Sequence, residues 1–168
     1  YREWLKKFKG GSMYIFGSHL IDLVVSILGE PEKVYPFIKQ TGFEGVYSDD
    51  NNFAVLEYDK AIARITNLSV EVNGWGMRRF AVMGSKGTVE IKPIELNVEM
   101  TKSTTDIASN AYQDMKEKVD IKDVPTLSRY DEMMKDFYKS VIGEKEKPYA
   151  YEHELAVQKT LCRVVGEN

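Results

Sequence analysis

Residues 10–31, GGSMYIFGSHLIDLVVSILGEP, are the stretch around which the rest of the chain is organised. Two glycines open it, and one of the protein's two histidines sits at its centre. An almost wholly apolar run, Leu20 to Leu28, then stops at Gly29 and Pro31. Ser18 has the chemistry of a helix N-cap and Gly-x-Pro is a stop signal, so a helix is expected from Ser18 onward. Leu20, Val24, Ile27 and Leu28 recur at helical spacing, and so do Ile21 and Val25. Apolar residues around most of its girth predict a helix covered by other elements. A single polar line interrupts them, His19, Asp22 and Ser26, and any chemistry on this helix must use it.

Upstream, residues 1–9 alternate Trp4, Leu5 and Phe8 with Arg2, Lys6, Lys7 and Lys9, the spacing of a short amphipathic turn or arm. Downstream, 33–40 (KVYPFIKQ) reads as a strand; Pro36 cannot donate to a ladder and belongs on an edge or bulge. The strongest hairpin signal joins the β-rich runs 53–58 and 62–72 through Asp59, Lys60 and Ala61. Further strands are expected at 78–83, 88–91 and 95–100, the first two flanking Gly84-Ser85-Lys86-Gly87. Short loops between strands imply antiparallel pairing. The period then changes to helical. Ala108, Ala111, Tyr112, Met115 and Val119 suggest one helix, Leu127 to Val141 a second, and Ala150 to Val165 a last one. Helices at both ends of a central sheet define an α+β fold.

The 168 residues suit one domain with a real hydrophobic core. A net charge of −3, with basic and acidic residues interspersed, gives no reason to expect nucleic acid or an anionic membrane as partner. Cys162 is the single cysteine, which excludes an internal disulfide and leans toward a reducing compartment. No run is long enough to cross a bilayer. The opening, YREWLKKFKGG, has neither a signal-peptide pattern nor an initiator methionine and reads as the middle of a longer protein.

No G-x-G-x-x-G and no Walker A loop occurs; MGSKGT lacks the spacing and reads as a hairpin turn. Two histidines and one cysteine, far apart, give no zinc signature. His153 lies in line with Val157 and Leu161, on the flank of an apolar face, where packing is its expected role. His19 leaves two readings open. Its ring is either tied to Asp22 or a backbone carbonyl in a purely structural role, or it faces a cleft as a proton donor and acceptor near neutrality.

The stretch GGSMYIFGSHLIDLVVSILGEP resembles the start of the C-terminal domain in the glucose–fructose oxidoreductase/inositol dehydrogenase/MocA family of NAD(P)-dependent oxidoreductases. The family pattern is approximately G-G-x-L-Y-D-x-G-S-H-x-I-D, an apolar helix and Gly-x-Pro. FAVLEY with IARI, the turn at Gly84, Gly87 and Thr88, and PYAYEHELAVQKTL follow in the family's order. The resemblance implies an α+β fold with an open-faced, predominantly antiparallel sheet flanked by helices, similar to the C-terminal domain of glyceraldehyde-3-phosphate dehydrogenase. It makes residues 1–168 a single substrate-binding and oligomerisation domain of a longer oxidoreductase. The Rossmann domain that binds NAD or NADP, and its Glu-Lys-Pro segment, are not in this chain, so no cofactor-binding residue, metal or turnover is expected of the fragment alone. His19 matches the family's acid/base histidine, while Ile15 stands where the family has aspartate. Tyr14 and Asp22 are the implied substrate-binding or supporting residues. A sugar, inositol or related polyol is the implied substrate, a second copy meeting through the sheet face the implied partner, and the cytoplasm the implied location. The alternative is a non-catalytic binding or assembly domain of a divergent member, with His19 structural.

Overall fold

The computed structural model describes residues 2–94, 98–104, 117–119, 129–146 and 150–167. They fall into two compact units, Tyr1–Glu71 with Glu146–Asn168, and Val72–Lys145. All described strand pairs are antiparallel, and the fold is α+β as the patterning predicts. The ladders divide into two sheets, one in each unit.

The first unit opens with α1 (Arg2–Leu5), a π-helical turn (Met13–Gly17) and α2 (Ser18–Leu28). It continues through β1 (Lys33–Lys39), a 3-10 turn (Phe43–Gly45), β2 (Asn51–Glu57) and β3 (Ile62–Leu68). The strands pair in sequence order, so β1 is an edge strand, where Pro36 costs no ladder bond inside the sheet. The β2–β3 hairpin closes with Tyr58 N–H donating to the Ala61 carbonyl at 3.0 Å. Strict alternation sends Asn52, Ala54 and Leu56 inward and Asn51, Phe53, Val55 and Glu57 outward. Inward residues meet α2 and α5 (Tyr151–Val165) in a core of Met13, Ile21, Val25, Ala54, Leu56, Ile65, Leu161, Val164 and Val165. The outer face is open, with Phe37 53 % and Ile62 72 % exposed.

Two expectations about α2 need correction. The helical run begins five residues before Ser18, in the π-helical turn, so Ser18 is an interior residue whose hydroxyl donates to the Ile15 carbonyl at 3.1 Å. Nor is the helix covered all round. Ile21 and Val25 are buried, whereas Leu23 and Ile27 are 40 % and 53 % exposed. Its end is as expected: Gly29 takes φ +78° and donates to the Val25 carbonyl at 2.8 Å.

The second unit holds α3 (Gly74–Met77), β4 (Phe80–Gly84), β5 (Gly87–Ile91), β6 (Met100–Thr104), β7 (Glu117–Val119) and α4 (Arg129–Val141), its strands paired in sequence order. The β4–β5 hairpin turns at Ser85–Lys86, as the glycine spacing predicts. The strand expected at 95–100 begins only at Met100, and residues 95–97 lie outside those described. Val119, assigned by periodicity to a helix, sits in β7 opposite Met100. A strand partner outweighs local spacing there. The remainder of that expected helix, 108–116, lies outside the described residues.

Candidate proton-transfer site on the second helix

The helical run carrying His19 is anchored by a buried polar knot. Gly10 and Gly11 adopt φ +75° and +47°, and a Cβ on Gly11 would collide with the Asp49 backbone oxygen. That same oxygen accepts from Ser12 N–H at 3.0 Å, the Ser12 hydroxyl at 3.2 Å and Asn52 Nδ2 at 2.9 Å. Gly10 N–H donates to Asp49 Oδ2 at 3.0 Å, and Asn52 Nδ2 also donates to Ser12 Oγ at 2.9 Å. Ser12 and Asn52 are fully buried, so these bonds satisfy the Ser12 hydroxyl and the Asn52 amide N–H, and they fix where the helical run starts. Gly17, without a side chain, leaves room for the buried Met13, and π-helical turns of this kind are frequent at functional sites.

On this platform His19 is exposed and hydrogen-bonds no described residue. Ile15, four residues earlier, is half-buried and offers the ring nothing polar. Tyr14 is half-buried with its ring stacked on Phe8, centroids 5.6 Å apart. Asp22, one turn after His19, is bonded to the other histidine: Nε2 of His153 lies 2.7 Å from Asp22 Oδ1. Ser26 completes the polar line but donates back to the Leu23 carbonyl at 2.8 Å. His153 therefore does more than pack. It is the residue that the sequence pattern missed, and no local signal marks a contact spanning 131 positions.

Among the described residues no three His, Cys, Asp or Glu side chains converge to hold a metal, and no helix is long and apolar enough to cross a membrane. A cavity of about 370 Å³ lies at the far end of α2, lined by Leu28, Glu30, Glu32, Tyr58, Asp59 and Lys60, away from His19. Burial holds the Tyr58 phenol above its ordinary range. The sequence carries no G-x-G-x-x-G fingerprint, and the described strands pair antiparallel rather than in the parallel βαβ unit that carries one.

Residues 1–164 match the C-terminal alpha/beta domain of the glucose–fructose oxidoreductase/inositol dehydrogenase/MocA oxidoreductase family, and the chain belongs to it. Solved structures with the same fold include one from Desulfitobacterium hafniense assigned as an NADPH-dependent oxidoreductase. It is 17 % identical with a TM-score of 0.73, the match covering 94 % of this chain and 46 % of that one. An oxidoreductase from Bacillus cereus is 14 % identical, with a TM-score of 0.64 over 94 % of this chain and 48 % of its own. The oxidoreductase assignment yvaA from Bacillus subtilis is 17 % identical, with a TM-score of 0.66 over 92 % and 47 %. The chain thus spans about half the length of the solved structures it matches. No curated protein matches the sequence.

Proposed function

We propose that this chain is the substrate-side domain of an NAD(P)-dependent oxidoreductase acting on a sugar, inositol or related polyol. His19 exchanges the proton of the reacting hydroxyl, and Tyr14 and Asp22 support it. The observation that carries the reading is an exposed imidazole with no described hydrogen-bond partner, held on a rigid, knotted helical run in a domain of an oxidoreductase family. An exposed imidazole can donate to, or accept from, a docked hydroxyl. The nicotinamide belongs to a companion domain outside this chain. A cytoplasmic location accords with the free thiol of Cys162.

The same reading makes the open face of the β1–β2–β3 sheet the surface on which copies of the chain associate, since Tyr35, Phe37 and Ile62 are exposed there. One observation favours a second reading. Ile15 can neither orient an imidazole nor bind a hydroxyl, as expected of a non-catalytic assembly domain with a structural His19.

The test is NAD(P)-linked turnover of a sugar and polyol panel by the full-length protein. His19→Ala is expected to lower kcat/KM by at least about 10²-fold while leaving the urea midpoint unchanged, the scale of a positioned proton transfer. An active wild type indifferent to His19→Ala refutes the catalytic role. A wild type inactive on the whole panel, with and without the substitution, supports the assembly reading.

A further inference from the structure

We propose that the apolar stripe of α4 is a second interface between copies of this chain, in which two α4 helices pack antiparallel about a two-fold axis. This interface is separate from the open face of the first sheet, and it does not depend on the role of His19.

The apolar residues of α4 are Tyr130, Met133, Met134, Phe137, Tyr138 and Val141, spaced by three and one in turn. That spacing puts all six on one face of the helix, while Glu132, Lys135, Asp136 and Lys139 fall on the other. The six are 56 % (Met133) to 67 % (Val141) exposed, and within the second unit no described strand or helix packs along them. A helix of 13 residues is marginal in water by itself, so its stability has to come from covering this face. Fully buried rings hide about 150–250 Å² each, so the exposed parts of the three rings alone offer roughly 300–450 Å². Exposed apolar patches of that size mark interaction sites. The two methionines and Val141 bring the stripe toward the roughly 800 Å² that each partner of a stable pair contributes.

The symmetry of the stripe selects a second copy as its occupant. Its six positions are symmetric about the point between Lys135 and Asp136, close to the middle of the helix. A second α4 turned end for end therefore sets Tyr130 against Val141 and Met134 against Phe137. Each contact then occurs twice, as a two-fold interface requires. Both layers put a ring against a smaller or unbranched side chain, and the central one is a favourable sulfur–aromatic contact. Charge selects the antiparallel sense. The first turn carries Asp131 and Glu132 and the last turn carries Lys139, so a reversed partner brings opposite charges and opposite dipole ends alongside. A parallel partner would set acid beside acid. The ion pairs Glu132–Lys135 at 2.8 Å and Asp136–Lys145 at 2.7 Å involve residues of the polar face and stay in water when the stripe closes.

The measurement is sedimentation equilibrium of the full chain, with Phe37→Lys present throughout so that association through the first sheet does not mask the result. The Phe37→Lys chain should still self-associate at high micromolar concentration. Adding Met134→Lys or Phe137→Glu should weaken that association by at least about 10-fold, because either one puts a charge into both central layers. A 1:1 mixture of these two variants should recover at least about 10-fold. One central layer then holds the introduced lysine against the introduced glutamate, and the other keeps its native pair. A mixture of Met134→Lys with Met134→Glu should not recover. Phe137→Ala, which keeps a strong helix former, should weaken association like the charged variants and replaces them if they fail to fold. A Phe37→Lys chain that is monomeric at high micromolar concentration overturns the proposal, and so does association indifferent to Met134→Lys and Phe137→Ala. Failure of the Met134→Lys and Phe137→Glu mixture to recover assigns the stripe to a different partner surface. Recovery only with Met134→Glu overturns the antiparallel register.

Discussion

Asp22 on α2 and His153 on α5 are 131 residues apart in sequence and joined by a 2.7 Å hydrogen bond. The bond pins the first turn of α5, whose N-cap position, Ala150, has no side chain to cap it. Farther along, Arg163 ties the same helix to the carbonyls of Pro31 and Glu32 at 2.8 Å each, so α5 is fastened near both of its ends. A double-mutant cycle of Asp22→Ala and His153→Ala, read by urea unfolding, should return a coupling of about 0.5–1.5 kcal/mol. A coupling of zero would mean that packing alone holds the two helices together.

Gly11→Ala should be among the most damaging single-atom-scale changes in the first unit. The residue combines φ +47° with an approach to the Asp49 backbone oxygen that leaves no room for a methyl group. Backbone cannot yield as a side-chain tip can, and Asp49 is also held by Gln40 and Gly10. The expected loss is about 2–4 kcal/mol in urea unfolding. Gly166→Ala is the control, because it has a left-handed φ of +75° and a Cβ there meets only the tip of the Lys9 side chain, 3.9 Å away. Equal losses in the two variants would show that backbone conformation, not the close approach, sets the cost.

Part of this architecture was legible because it is local. The β2–β3 hairpin follows from two β-rich runs around Asp59–Ala61, and the end of α2 follows from Gly29. The start of α2 was not legible from Ser18, because residues in another part of the chain decide it. Asp49 and Asn52 close on Gly10–Ser12 and start the helical run early. The same holds for Val119, whose helical spacing gave way to a ladder partner at Met100. At the candidate site, His19 was found by its place in a motif. His153 was not, since only tertiary packing brings it to Asp22.

The outer face of the first sheet gives a pH-dependent signature. Glu57 accepts from Lys33 Nζ at 2.6 Å and from the Tyr35 phenol at 2.8 Å. The Lys33 bond first, and the Tyr35 bond second, hold its carboxyl below the ordinary range. A depressed carboxyl stabilises the fold fully above its unfolded value of about 4.3, and this contribution is lost as pH falls through the lower folded value. Glu57→Gln should therefore unfold at lower urea than wild type at neutral pH, with the gap closing in strong acid. The group is exposed, so the gap is small and should shrink further in salt. A gap that persists unchanged in acid would assign the effect to packing rather than charge.

Self-association through that same face has a sharp test at Phe37. Its ring lies 5.8 Å from that of Phe53, near the middle of β1, and is 53 % exposed. Tyr35, Val55, Ile62 and Leu68 extend the apolar surface over all three strands, interrupted by the Lys33–Glu57 pair and Arg64. A contiguous apolar surface of more than a few hundred Å² is unusual on a monomer, and an interface needs about 800 Å² from each partner. Phe37→Lys places a charge at the centre of the patch on an edge strand, where lysine is a native device against strand-to-strand contact. The wild-type chain should sediment as an oligomer at micromolar concentration. Phe37→Lys should weaken association by at least about 10-fold, the effect of losing one buried aromatic anchor and stranding a charge. Val72→Lys, 90 % exposed and outside β1–β3, is the control and should sediment as wild type. A wild-type chain that remains monomeric at high micromolar concentration would remove this face from the assembly, and equal weakening by both lysines would reduce the effect to net charge.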